Sequence, residues 1–167
     1  IHGGSIRIFI SEIGNYKVKN NVKKICNIEN REKLNSKNIL FNFRNKVIQN
    51  RFKLISFFTK LKKMKKKIVV LSAPAKGMTL LNYCKLDGDY IDYTTEKSSL
   101  KQGLFTPGGN IPVYTDDKIL KTKPDYALLL AWNFARGIIK NNIKYLKKGG
   151  KFIIPIPQLK IISYKNK

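Results

Sequence analysis

Three short runs constrain this chain more than anything else in it: Ile68–Leu71 (IVVL), Tyr126–Ala131 (YALLLA) and Lys151–Ile154 (KFII). A strand with one wet face alternates apolar and polar residues, so a short continuous apolar run has to be buried on both faces. Helix-length segments accompany them, from about Gly77 to Cys84 and from about Phe134 to Lys147, the second stopped by Gly149-Gly150. Shorter strands are predicted at Tyr90–Tyr93 and Ile111–Tyr114, with a helical turn at Asp116–Leu120. The last strand is closed by Pro155 and Pro157, and the tail after Gln158 is expected to be loosely held. This βαβ rhythm predicts an α/β fold, a Rossmann-like and mostly parallel sheet with helices on both faces.

Two further segments precede that domain. Ser5–Ile10 (SIRIFI) is alternating and β-branched, which predicts a strand, whereas residues 14–30 are Lys/Asn-rich and predict a linker. From about Asn35 to Met64, Leu40, Val47, Leu54, Phe58 and Leu61 recur at three- and four-residue steps or multiples of them, opposite Arg44, Arg51, Lys53 and Lys60. That period predicts a long amphipathic basic helix, packed on a domain or lying on an anionic membrane surface. The expected organisation is an end strand over 1–13, linker and helix over 14–67, the Rossmann-like domain over 68–158 and a tail over 159–167.

The charge has to be placed before function is read. The chain carries a formal net charge of +24 on 167 residues, with 18 Lys/Arg against 3 Asp/Glu in residues 1–67. A polyanion partner and plain compositional drift both produce such an excess. Lys far outnumbers Arg, and a reader of nucleic acid would recruit the bidentate guanidinium, so nucleic acid is not the expected partner. A small phosphorylated ligand would still be drawn by the field. Cys26 and Cys84 fall in no metal-ligand pattern, and one histidine, His2, cannot build a zinc site or a catalytic triad. No apolar run approaches the ~20 residues needed to cross a bilayer, no signal peptide is evident, and a cytoplasmic location is expected.

In open α/β sheets ligands bind beyond the carboxyl ends of the strands, which singles out three loops. Ser72-Ala73-Pro74-Ala75-Lys76-Gly77 joins a strand to a helix N-terminus, a natural anion site to which Lys76 adds a full charge. It has neither the P-loop nor the GxGxxG spacing, and a plain tight turn would read the same way. Lys101–Asn110 is a Gly/Pro-rich loop whose Pro107-Gly108 favours a type II turn. Trp132-Asn133 ends the strongest strand, with Asn133 a natural N-cap and Trp132 either core or a platform for a base or sugar. No carboxylate pair at catalytic spacing appears among Asp87, Asp89, Asp92 and Glu96, so no reactive centre is assigned.

These same loops carry a resemblance. SAPAKGMTLLN at 72–82, Tyr83-Cys84, Ile91-Asp92-Tyr93, Lys101-Gln102-Gly103, Thr106-Pro107-Gly108, Ile111-Pro112-Val113, Pro124-Asp125-Tyr126, Trp132-Asn133 and GGKFIIPIP at 149–157 follow one another as in the C-terminal domain of the sugar C-methyltransferases. HGGSIR at 2–7 resembles the HGGSLR that closes the preceding methyltransferase domain in that family. The resemblance implies a three-part enzyme: a zinc-binding N-terminal piece, a middle S-adenosylmethionine domain, and this piece, which helps hold a nucleotide-diphosphate sugar. Such an enzyme methylates a carbon of a nucleotide-linked keto-sugar, and this fragment alone is expected to be inactive. The binding residues it implies are Lys76, Gly77, Thr79, Asn82, Gln102, Thr106, Gly108 and Asn133, with no catalytic base and no metal ligand. Ser72 stands where the family has Gly, Met78 where it has Asn, and Glu96 where it has Asp. An anionic-surface or nucleic-acid binding domain, or an inactive remnant of the enzyme, are the alternatives.

Overall fold

The computed structural model describes residues 5–164 of the chain, which divides into two compact units, Ile1–Gln49 and Asn50–Lys167. His2, Gly3 and Gly4 of the HGGSIR motif lie outside the described residues.

The second unit holds the sheet. Its strands are β1 (Ile68–Leu71), β2 (Tyr93–Thr95), β3 (Val113–Tyr114), β4 (Tyr126–Leu129), β5 (Lys151–Ile154) and β6 (Lys160–Ile162), in spatial order β3-β2-β1-β4-β5-β6. The first five are parallel, with Val70 opposite both Thr94 and Leu128, and β6 runs antiparallel to β5. In chain order the helices are α1 (Asn20–Arg31), α2 (Lys37–Lys63), α3 (Ala75–Cys84), α4 (Lys118–Thr122), α5 (Ala135–Asn141) and α6 (Ile143–Lys147), with a 3-10 turn at Trp132–Phe134. The expected α/β fold is what the chain adopts, for the reason the apolar runs give: every residue of β1 is buried.

Side chains of the central strands alternate between two cores. Ile68, Val70, Leu128, Leu130 and Ile153 face Leu54, Phe58 and Leu61 of α2 and Met78 and Leu81 of α3. Val69, Leu71, Ala127, Leu129 and Phe152 face Ile119 of α4, Ala135 of α5 and Tyr145 and Leu146 of α6. The second half of α2 is tied down by Asn50, which donates to the Pro155 carbonyl at 3.2 Å, and by Arg51, which donates to the Tyr83 carbonyl at 2.8 Å. The sheet-bearing unit therefore begins at Asn50, inside α2, and not at Ile68.

Several local expectations are corrected. Ser5–Ile10 forms no strand; its side chains are exposed, and a strand needs a neighbour for its ladder, which none of the described residues supplies. The linker over 14–30 gives way from Asn20 to α1, on which Val22, Ile25 and Ile28 follow at three-residue steps with none of them buried. The helix expected over 134–147 breaks at Asn142, whose side-chain amide donates to the Ile138 carbonyl at 2.9 Å and ends α5. Asn133 lies inside the 3-10 turn and not at the N-cap of α5, which no side chain caps. The second strand starts at Tyr93 because Tyr90 and Ile91 are still turning, their N–H groups bonded to the Asp87 carbonyl. The tail is not loose throughout, since Lys160–Ile162 adds β6 to the edge of the sheet. Both cysteines are free thiols, Cys26 exposed and Cys84 buried.

Candidate functional site

The strand order reverses at β1: the chain passes outward through β2 to β3 and returns to β4 on the other side of β1. The crevice outside the carboxyl ends of β1 and β4 is thus the switch point at which doubly wound folds bind ligands. Two of the three loops singled out in the sequence meet there. Lys76, in the first turn of α3, places its ammonium 4.8 Å from the ring centroid of Trp132, which follows β4. Both side chains are half-buried, and Asn133 beside Trp132 is exposed. A cation on the indole face, at the positive end of a ten-residue helix, gives an electropositive wall with a flat apolar surface beside it.

Gly77 sets that geometry. A Cβ there would stand 2.6 Å from the Cβ of Leu130, so only glycine lets α3 approach β4 closely enough for Lys76 to reach Trp132. Ser72 just before it takes a left-handed conformation at φ 73°, and its N–H donates to the Thr95 carbonyl at 2.9 Å. That is the backbone reason a glycine suits this position.

The second loop divides. Its first part, at Lys101 and Gln102, lies against the ends of β1 and β2: the Lys101 ammonium donates to the Ala73 carbonyl at 3.0 Å, and the Gln102 amide donates to the Glu96 carbonyl at 2.8 Å. Its second part crosses to the far end of α3. Asn82 there donates to the Pro107 carbonyl at 3.4 Å, and Gly88, in the turn leading to β2, donates to the Gly109 carbonyl at 3.1 Å. Gly108, at φ 84°, suits a left-handed turn that strains other residues, and it lies close against the Asn82 carboxamide. Thr106 is buried, its hydroxyl accepting the Ile111 N–H at 3.1 Å, and so shapes the loop from within. Thr79, exposed between the two ends, donates to the Ala75 carbonyl one turn earlier at 3.3 Å. Lys76, Gly77 and Asn133 therefore gather at the switch point, Gln102 borders it, and Asn82, Thr106 and Gly108 stand toward the opposite edge of the sheet.

Glu96, which the sequence did not single out as a site residue, is the best-held carboxylate of the unit. It accepts the N–H of Ala73 at 3.1 Å, of Lys97 at 2.9 Å and of Ser98 at 3.4 Å, and pairs with Lys101 at 3.6 Å. Burial alone would raise its pKa; the three N–H donors and the ammonium outweigh it and hold the carboxyl below its ordinary value. The sequence placed Glu96 three residues beyond the strand predicted at Tyr90–Tyr93, and the structure brings it to the end of β2. Among the described residues, no group of three or more His, Cys, Asp or Glu is placed to hold a metal ion, and no helix is long and apolar enough to cross a membrane.

Comparison with known proteins agrees with this architecture. The family described as the C-methyltransferase C-terminal domain matches residues 1–157. C-methyltransferase NovU of Streptomyces niveus is 42% identical over 98 residues, a stretch covering 59% of this chain and 23% of that relative. The matched stretch is thus less than a quarter of the curated relative's length.

Proposed function

The chain belongs to the C-methyltransferase C-terminal domain family, and from that premise we propose that it is the nucleotide-sugar-holding part of an S-adenosylmethionine-dependent enzyme that methylates a carbon of a nucleotide-linked keto-sugar. The observation that carries this reading is the meeting of Lys76 and Trp132 across the β1–β4 switch point. The Lys76 ammonium and the N-terminal turn of α3 neutralise the diphosphate, and charge-assisted hydrogen bonds of that kind are the strong ones. Trp132 offers its face to the base or sugar, and Asn133 supplies a polar group next to it. The bound donor supplies a methyl group; this chain's own task is to bind and orient the acceptor. The donor site, the zinc-binding piece and the base that removes the proton next to the ketone are assigned to polypeptide outside these residues. We further read Ser5–Ile10, exposed and with Ile6, Ile8 and Ile10 at alternating positions along one side of the chain, as a strand that completes the sheet of the methyltransferase domain, the enzyme working in the cytoplasm.

Titration of the 167-residue chain with thymidine diphosphate tests the site, since Trp132 is the chain's single tryptophan and reports directly. The expected result is saturable quenching of its emission. Lys76→Met should weaken binding by about tenfold or more, the worth of a hydrogen bond to a charged group. Equal affinity in the wild type and the variant would refute the assignment.

A further inference from the structure

The β1–β2 side of the crevice differs from the β1–β4 side. In doubly wound nucleotide-binding folds, an acidic residue about 20 positions beyond the strand-to-helix turn, at the end of the second strand, takes the ribose hydroxyls. Glu96 occupies that place: it follows β2 directly and stands nineteen residues after Gly77. A carboxylate has about four acceptor positions. Here Oε1 takes the N–H groups of Lys97 and Ser98, while Oε2 takes the Ala73 N–H and faces the Lys101 ammonium. The neighbouring backbone is used up in the same way. The Ser72 N–H goes to the Thr95 carbonyl, the Ala73 carbonyl accepts from Lys101, and the Gln102 amide fastens the Glu96 carbonyl. The Glu96 side chain is left 14% exposed.

We propose that Lys101 is a specificity-determining residue: by latching onto Glu96 and the Ala73 carbonyl it closes the ribose half of the crevice, so that this domain refuses adenosine-type ligands and admits a nucleotide only on the β4 side. The closure rests on the chain's own bonds. Only the statement that a nucleotide enters on the β4 side rests on the proposed function. Lys101 is half-exposed at 49% and takes no part in the core, so its removal uncovers the Glu96 and Ala73 acceptors without dismantling the fold.

The test uses adenosine, a ribose without phosphate, titrated into the 167-residue chain while the amide resonances of Ala73, Lys97 and Ser98 are followed by NMR. In the wild type, adenosine at concentrations on the order of 1 mM, where binding would be worth only about 4 kcal/mol, should move none of the three. In Lys101→Ala the same amides should shift and saturate, with affinity raised at least tenfold. Adding Glu96→Gln to Lys101→Ala should abolish that gain, because the carboxylate is the receiving group. Saturable shifts at these amides in the wild type, or no gain in Lys101→Ala with its native amide spectrum preserved, would overturn the latch. Thymidine diphosphate separates the two proposals: failure to affect Trp132 counts against the proposed function alone, whereas saturable shifts at Lys97 and Ser98 count against the latch.

Discussion

Gly77→Ala is the substitution that most directly tests how the switch point is built. The new methyl carbon would stand 2.6 Å from the Leu130 Cβ, 3.0 Å from its Cδ1 and 3.1 Å from its Cγ. Carbon atoms sit best at about 3.5–4.0 Å, and Leu130 is fully buried directly after β4, so its Cβ moves only with the strand. Overpacking of this kind costs about 1–3 kcal/mol, and the helical gain of alanine over glycine returns about 0.5–1 kcal/mol. The net expectation is a loss of about 0.5–2 kcal/mol, which at a typical urea dependence lowers the denaturation midpoint by about 0.25–1 M. Trp132 emission follows the unfolding and also reports the folded site, because moving α3 away from β4 parts Lys76 from the indole. Leu130→Ala serves as a second arm. It removes the Cγ and Cδ1 contacts but keeps the Cβ, so Gly77→Ala should remain destabilising in that background. A Gly77→Ala chain as stable as the wild type, with the same folded emission, would refute the close approach.

Two other outcomes follow from the same loops. Ser72→Gly should stabilise the chain by about 0.5–1 kcal/mol in urea denaturation: relief of the left-handed conformation, about 1–2 kcal/mol, exceeds the added freedom of the unfolded chain. An unchanged or lower midpoint would show that Ser72 is not strained. In acid, Glu96 and Asp125 both have folded pKa values below their ordinary ones; for Asp125 burial is outweighed by the Lys67 N–H and the Lys66 ammonium. Their stabilisation is complete above the ordinary carboxylate range and is lost as pH falls through the depressed folded values. The urea midpoint should therefore hold from neutrality to about pH 5 and drop below about pH 4, and Glu96→Gln should flatten part of that drop. An identical acid profile in Glu96→Gln would remove Glu96 from this account.

Legibility in the sequence followed burial. β1, β4 and β5 were readable because a strand covered on both faces needs an unbroken apolar run, and few other elements of that length do. β2 was misplaced by its threonines: Thr94 and Thr95 are fully buried, yet they read as loop beside the more apolar Tyr90–Tyr93. The turn of α1 was present as the spacing of Val22, Ile25 and Ile28 but was masked by Asn20-Asn21 and the surrounding lysines. Ser5–Ile10 shows the converse, a strand-like pattern whose hydrogen-bonding partner is not among the described residues. At the site, Lys76 and Trp132 were legible because each follows a readable strand. Glu96 and Lys101 were not legible as a unit, since their bonds join residues 23 and 28 positions apart through a contact that no local period records. Thr106 and Gly108 came in through the family resemblance, and their contacts with the Ile111 N–H and Asn82 join residues that no local period links.

The role of α2 follows from counting cover on the two faces of the sheet. One face receives α4, α5 and α6. On the other, α3 is the crossover helix, because the connection from β2 to β3 contains no helix among its described residues. Without a further element, Tyr126 and Ile153 on that face would meet water. Leu54, Phe58 and Leu61 of α2 fill the place, all three buried, and Phe57 meets Tyr126 edge to face at 6.1 Å between ring centroids. Full burial of such a side chain is worth about 1.5–3 kcal/mol, so the three together contribute about 5–9 kcal/mol. The whole net stability of a domain is about 5–15 kcal/mol. A chain cut at Ile68 would thus keep all six strands and still lose a sum comparable to the margin that holds them folded. The helix that reads in sequence as long, amphipathic and basic is, over its second half, part of the wall on which β1 and β4, and with them the switch point, depend.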